Sequence, residues 1–569
     1  MDPSLETAWK RLTAPGAPFA WSVTDIRGVP TRTYDAAPAS LRAIWEASAA
    51  HGDAEYLVYG QERLCHADAH RIVRGVATHL AERGIGRGDR VAIAMRNYPE
   101  WVLSYWAIVA TGAAVVGMNA WWTGAEMEYA IRDSAPRLVI LDPDRLSTLQ
   151  PHLGGLRKDL EFDLIVVRTE GEGETPAGTT PWAEAAATPA DTLPEVEISP
   201  EDDACIFYTS GTTGTPKGAV MTHRGVVSNL LNLAFWGSVV QLARPDGGAK
   251  NPPGQEGRKR QPTTLLAVPF FHVTGCNCCI IPVTATGGRI LLMHKWNAGE
   301  ALELIEREKV DTFTGVPMMS RELMEHPDFA TRDTSTLSGL GGGGAAVQPD
   351  LVDKIEKKLE RGRPGTGYGL TETCGVISMN SGDFFVDRPR TVGPALPVVE
   401  ARVVGEDGRS LPTGEVGELL VRGPNNVRGY LNKPEATAEA FPEGWFRTGD
   451  LATLDDDGFI TIVDRAKDMV LRGGENIYCA EVEAALFDHP AVKECAVFAV
   501  PDDRFGEVPG AAVVCKDGAT VDEDALRAHA GARIAPFKVP ARFWFLSEDL
   551  PRNANGKFLK RALRERLLG

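Results

Sequence analysis

A chain of 569 residues with 43% hydrophobic and 24% charged side chains is ordinary globular material, too long for one core, and is expected to divide into two or three domains. Its formal charge of -17 argues against a nucleic-acid groove or an anionic membrane surface, since either needs a basic face. Nine cysteines, an odd number, suit reduced thiols, and residues 1–10, MDPSLETAWK, lack the basic start and apolar run of a signal peptide, so a cytoplasmic protein is predicted.

In chain order, a helix is predicted over 68–83 and a strand over 90–95, RVAIAM. The stretch 101–124 carries no charge and exceeds the roughly 20 residues a bilayer needs. Thr111 and Gly112 interrupt it like a helix end, and AAVVGMN at 113–119 then reads as a strand, which predicts a buried helix and strand in place of a membrane span. Further apolar runs at 137–142, 163–167, 204–208, 265–270 and 289–293 alternate with helical patterns such as 299–309. The fold class is therefore α/β, parallel sheets covered by helices, with ligands gathered at the carboxyl ends of the strands. Residues 241–262, rich in proline and glycine with a cluster at Arg258, Lys259 and Arg260, predict an exposed loop. Cys276, Cys278 and Cys279 lie in apolar CNCCIIPVTA, which favours buried packing over zinc. Short alternating stretches at 397–462 predict a β-rich subdomain. A compact α+β unit follows, with strands at 495–500, 511–515 and 542–546 and helices at 522–530 and 559–568.

Residues 209–218, TSGTTGTPKG, hold five hydroxyls, three glycines and a lysine in ten positions. Glycines let a backbone approach a phosphate closely, while Thr209, Ser210, Thr212 and Thr213 and the ammonium of Lys217 supply donors to its oxygens. A kinase-type loop wants glycine before its lysine and a hydroxyl after it; here Pro216 precedes Lys217 and Gly218 follows, so the nucleotide-hydrolase reading fails.

The stretch 208–220, YTSGTTGTPKGAV, resembles the AMP-binding signature of the adenylate-forming superfamily, which includes acyl-CoA synthetases, luciferases and peptide-synthetase adenylation domains. PFFHVTG at 269–275, GYGLTET at 367–373, WFRTGD at 445–450, DRAKDMVLRGGENIY at 464–478 and PRNANGK at 551–557 are similar to the family's later motifs, in order. The resemblance implies an N-terminal domain over 1–464 that includes the β-rich part, a hinge at 465–467 centred on Lys467, and a mobile C-terminal domain over 468–569.

It also implies ATP, Mg2+ and CoA as the small molecules handled. Thr209 to Gly214, including Gly211, with Lys217, would hold the departing diphosphate. Thr371 would donate to the α-phosphate, Glu372 with Thr209 would hold magnesium, and Tyr368 would stack on adenine. Asp450 would accept from the ribose hydroxyls with Arg465 nearby, and Gly343, Gly344, Ala345, Gly367, Gly369 and Ile462 would complete the nucleotide contacts. Lys557 would reach the carboxylate and α-phosphate during adenylation, and His272 would gate and orient the acid. Phe271, Thr274, Gly315, Gly342 and Cys374 would line the acyl pocket, while Gly473, Gly474, Glu475 and Asn476 would line the pantetheine tunnel. Cys479 stands where the family commonly has proline, which predicts a looser loop.

The substrate expected is a carboxylic acid with an apolar tail, a medium- or long-chain fatty acid ahead of an aryl acid, because FFHVTG, the glycine wall and DTFTGVPMM at 311–319 are apolar and NAWWTGAEMEYAIRDS at 119–134 resembles fatty-acyl-CoA synthetases. A fatty acyl-AMP ligase that loads a carrier protein and a luciferase-like monooxygenase are the competing enzymes. Intact Lys217, Glu372, Asp450 and Lys557 argue against a binding-only pseudoenzyme. No nucleic acid and no integral membrane segment are expected, and a homodimer is compatible with the resemblance.

Overall fold

The alternating apolar runs become the inner strands of two eight-stranded sheets in a computed structural model that describes residues 2–169, 178–209, 216–244, 260–344, 347–359, 361–553 and 557–569. The first sheet runs, edge to edge, Gly429–Tyr430, Lys217–Thr222, Asp203–Thr209, Ala114–Gly117, Arg90–Ala94, Leu138–Leu141, Asp163–Val166 and Thr180–Pro181. The second runs Gly375–Ser381, Arg363–Leu370, Gly339–Gly343, Thr312–Gly315, Thr263–Leu266, Arg289–Leu292, Glu55–Tyr59 and Glu62–Cys65. Val91, Ile93, Val115, Ile140, Leu265 and Ile290 are fully buried or nearly so, as inner parallel strands covered on both faces must be.

The sheets are not wholly parallel, and the departures fall at the edges. Asp203–Thr209 and Lys217–Thr222 pair antiparallel, as do Arg363–Leu370 and Gly375–Ser381. The turns expected to carry phosphate chemistry therefore join hairpin strands instead of leading from a strand into a crossover helix. Length explains it: six residues lie between Thr209 and Pro216 and four between Leu370 and Gly375, far too few for the dozen or more that a parallel crossover needs.

The charge-free stretch resolves into helix Pro99–Ala110, with Pro99 at a first position where a missing N–H costs nothing, and strand Ala114–Gly117. Every residue of that helix except Glu100 is buried, Trp101 and Trp106 included, so its all-round apolarity serves a core. Helix His223–Ala243, not foreseen from the sequence, is the one described helix long and apolar enough to cross a membrane, and half of its most apolar window is buried against protein. Cys276–Ile280 wind as one π turn leading into helix Ile281–Thr286, with Cys276 and Cys279 buried as packing residues.

Contacts group the chain into two units: Met1–Pro389 with Pro394–Glu400 and Val421–Phe446, and Arg390–Gly393 with Ala401–Leu420 and Arg447–Gly569. The second unit holds the β-rich strands Phe446–Leu454 and Phe459–Arg465, and also a sheet of Glu475–Ile477, Val470–Arg472, Gly506–Cys515, Val492–Asp502 and Arg542–Leu546. This grouping does not cut at residue 464. The reason is local: helix Cys479–Phe487 packs on Phe459–Arg465, and Asp464 Oδ2 accepts the Ala480 N–H at 3.3 Å.

Candidate active site

Thr209 ends one strand of the first hairpin and Lys217 begins the other, opposite it in register. Ser210, Gly211, Thr212, Thr213 and Gly214 lie outside the described residues, so the hairpin shows where their two ends are held. Tyr129 donates its hydroxyl to the Pro216 carbonyl at 3.0 Å, and Leu431 donates its N–H to the Gly218 carbonyl at 2.8 Å. The ammonium of Lys217 stands 5.0 Å over the ring of Tyr430, whose hydroxyl donates to Glu372 Oε1 at 2.9 Å. Burial, reinforced by that carboxylate, pushes the Tyr430 phenol well above its ordinary range, so it remains a donor. Lys217 and Glu372, which lie 155 positions apart, thus contact one aromatic side chain, the lysine over its face and the glutamate at its hydroxyl.

Three buried asparagines hold the turn that presents Thr371 and Glu372. Asn229 accepts the Val376 N–H at 2.8 Å and donates to the Asn277 carbonyl at 3.0 Å. Asn277 donates to the Cys374 carbonyl and Asn425 to the Thr373 carbonyl, both at 2.9 Å. All three are fully buried, where an unpaired amide would be costly, so these bonds fix the turn. Gly375, at φ 136°, admits them: a Cβ there would run into Asn229 Oδ1. Val427 donates its N–H to the Glu372 carbonyl at 2.9 Å, tying the same turn to the segment that carries Tyr430.

The glycines form a wall across three parallel strands. Gly315 pairs with Gly342, and Gly343 with Gly367, while Tyr368 and Gly369 continue toward the turn. Gly342 backs onto Pro317, and Thr274 Cγ2 lies 4.0 Å from where a Cβ of Gly343 would stand. Gly344 follows the strand at φ +79°, and Ala345 lies outside the described residues. Phe271 is buried with its ring edge-on to Trp121 at 5.6 Å. His272 accepts the Thr274 N–H on Nδ1 at 3.3 Å, which leaves Nε2 as the protonated nitrogen of the neutral ring. Cys374 does not join this wall: its buried Sγ packs beside Gly225 at the start of helix His223–Ala243.

In the second unit Asp450 and Arg465 face each other across adjacent strands and form an ion pair at 3.0 Å, with Asp450 buried and Arg465 partly exposed. Ile462 lies two pairs further along, opposite Ala452. Burial lowers the Lys467 ammonium from its usual range. Gly473 and Gly474, at φ 58° and 92°, make the two-residue turn of a hairpin in which Arg472 opposes Glu475 and Leu471 opposes Asn476; two positive angles in a row admit few residues other than glycine. Cys479, where proline is the expectation, begins helix Cys479–Phe487. Its thiol donates to the Asp468 carbonyl at 2.9 Å, a tie that proline could not make. Lys557 N–H donates to Asn553 Oδ1 at 3.0 Å, and its carbonyl accepts the Asn553 N–H at 2.9 Å; Lys557 precedes helix Lys560–Leu568 instead of starting it.

A carboxylate at Glu372 and a hydroxyl at Thr209 are hard oxygen donors of the kind Mg2+ takes, and that ion commonly uses one or two protein ligands plus substrate phosphates. The donor set therefore fits magnesium. Sequence reasoning missed Tyr430, Asn229, Asn277 and Asn425. None carries a local signal, because each acts only through partners at least 48 positions away.

Residues 44–431 match the family model of the AMP-binding enzyme, and residues 481–557 that of the AMP-binding enzyme C-terminal domain. Feruloyl-CoA synthase of Amycolatopsis sp is 34% identical over 509 residues, 89% of this chain and 95% of that protein. Long-chain-fatty-acid--CoA ligase of Bacillus subtilis is 34% identical over 515 residues, 86% of this chain and 88% of that protein. Among solved structures, ATP-bound MatB from Rhodopseudomonas palustris superposes with a TM-score of 0.78 at 29% identity, covering 92% of this chain and 98% of that one.

Proposed function

The chain belongs to the AMP-binding enzyme family, and from that premise we propose that it is an AMP-forming ligase joining an apolar carboxylic acid to CoA. The observation that supports it most is the placement of Lys217 and Glu372 on the one side chain of Tyr430, the kinds of charge that a metal-bound triphosphate calls for.

In the first step an oxygen of the acid attacks the α-phosphorus of ATP, the bond from that phosphorus to the bridging oxygen breaks, and pyrophosphate leaves. The acid is ionised near neutral pH, so no base is required. Lys217 offsets charge on the departing diphosphate, Thr371 donates to the α-phosphate, and Lys557 supplies positive charge where acid and phosphate join. Magnesium held by Glu372 and Thr209 would spread charge over the phosphate oxygens. Asp450 and Arg465 position the ribose, and His272 presents a ring nitrogen to the acid. In the second step the CoA sulfur attacks the acyl carbon, the bond to the phosphate oxygen breaks, AMP leaves and the thiol proton goes to solvent. Reorientation about Lys467 would bring the Gly473 to Asn476 turn to the pantetheine.

For the acid we favour a medium- or long-chain fatty tail, supported by the apolar FFHVTG stretch and the relative named for long-chain fatty acids. A compact aryl acid is the second reading, supported by the similarity to feruloyl-CoA synthase, 34% identical over 509 residues. Pyrophosphate release across fatty acids of rising length and a set of cinnamic and benzoic acids separates the two. A maximum at eight carbons or more supports the fatty reading, and activity confined to aryl acids replaces it.

A further inference from the structure

Lys557 is flanked by two acid-anchored contacts that the chemistry above does not use. On its N-terminal side, Glu494 accepts the Leu550 N–H and pairs with Arg552, both at 2.8 Å, and Glu494 is only 6% exposed. On its C-terminal side, Lys560 pairs with Glu483 at 2.6 Å, and the same Glu483 oxygen accepts the Val497 N–H at 2.7 Å. Both acids sit on rigid elements, Glu483 on helix Cys479–Phe487 and Glu494 on strand Val492–Asp502. Between the anchors, Arg552 and Phe558 pair as an antiparallel bridge, and the Arg552 guanidinium lies 4.1 Å over the Phe558 ring. Leu559 N–H donates to the Pro551 carbonyl at 2.8 Å.

The C-terminal anchor is built against local preference. Helix Lys560–Leu568 has no side-chain N-cap and no acid in its first turn, and it opens on two cations, Lys560 and Arg561, at the end where the helix dipole is already positive. Burial would also lower the Lys560 ammonium, yet Glu483, with Cys479 and Asp468 beyond it, outweighs that and holds it above its usual range. An apolar residue would hold this helix down as well, since a half-buried ion pair is weak evidence for stability. A locally unfavourable choice kept next to a reactive group is the mark of a positioning device.

We infer that Glu483–Lys560 and Glu494–Arg552 are a two-sided clamp that sets where the backbone presents Lys557, making Glu483, Lys560, Glu494 and Arg552 positioning residues for the adenylation step. Lys557 lies three positions from Lys560 and five from Arg552, so the two anchors bound how far its backbone can move. The inference rests on the adenylation role proposed for Lys557.

The test uses full-length Lys560→Met, with Lys557→Ala as benchmark. Lys560→Met leaves the largely buried Glu483 without its cation, so it is expected to melt several degrees below the parent while remaining folded at the assay temperature. Acid-dependent pyrophosphate release should fall about 10- to 100-fold, while thioester formation from supplied acyl-adenylate stays within about twofold. Lys560→Arg should restore most of the loss. A folded Lys560→Met that adenylates at the parent rate, or loses both half-reactions equally, overturns the clamp. If Lys560→Met does not fold, Glu494→Gln, which keeps an acceptor for Leu550 and loses the charge facing Arg552, is judged by the same split between half-reactions. Should Lys557→Ala itself adenylate normally, the role of Lys557 fails first and the clamp with it; a crippled Lys557→Ala beside an unaffected Lys560→Met sinks the clamp alone.

Discussion

Glu372 and Lys557 are each held by buried polar groups, but by opposite kinds. The Glu372 turn hangs on three neutral amides, Asn229, Asn277 and Asn425, which reach it from a long helix, a π turn and a loop. The Lys557 segment hangs on acidic side chains paired with cations, Glu483 with Lys560 and Glu494 with Arg552. Amides in a core bond at fixed geometry and carry no charge to desolvate, which suits a carboxylate meant to stay still. Charged anchors tolerate partial exposure, which suits a terminal segment with little core of its own.

The sharpest break of this comparison is on the charged side. Lys557→Ala should reduce acid-dependent pyrophosphate release by about 10³-fold, roughly 4 kcal/mol of transition-state stabilisation, with ATP binding by titration calorimetry nearly unchanged. Equal loss of ATP affinity would assign the lysine to ground-state binding.

The amide-held region predicts the next largest effect, through pH. The amides that hold the turn do not titrate, but burial lowers His66 and His70, on helix His66–Glu82 of the same unit, to about 4, so both are neutral in the fold. Unfolded histidine takes up protons below about 6.5, so this stability is complete above that pH and is lost as pH falls toward 4, by up to about 3 kcal/mol per histidine. Urea midpoints between pH 7 and 4 should fall accordingly, and His66→Asn should flatten the profile. A flat profile in the parent would show that these rings are protonated in the fold.

Removing one amide gives a smaller loss. Asn229→Ala should cost about 2 kcal/mol in urea unfolding, because the Val376 N–H is left buried without its acceptor, and adenylation should weaken with it. Unchanged stability would mean that the turn is held elsewhere. Smallest is Tyr430→Phe, which keeps the ring beneath Lys217 and removes the hydrogen bond to Glu372; pyrophosphate release should fall about three- to tenfold at limiting magnesium and recover at high magnesium.

Legibility in the sequence followed the range of the contacts. Lys217 and Glu372 sit in motifs whose residue types declare phosphate chemistry, and the inner strands declare themselves by unbroken apolar runs such as RVAIAM and RLVILD. The glycine run at 339–343 was harder to place, since glycine carries no strand propensity; its neighbours on both sides make it a strand. Tyr430 and the asparagines were invisible because nothing nearby marks them, and the bond from Cys479 to Asp468 spans eleven positions and has no sign in the sequence either. Cys374 shares a motif with Glu372, and its left-handed conformation at φ 52°, which places its thiol beside Gly225, has no sign in the sequence.

The central claim is acyl adenylation before any thiol attack, and isotopic exchange between pyrophosphate and ATP tests it most directly. With magnesium and an apolar carboxylic acid but no CoA, labelled pyrophosphate should enter ATP at a rate that depends on the acid, and adding CoA should then yield AMP and a thioester. Exchange that is absent without CoA, or ADP and phosphate as the products, would contradict the account.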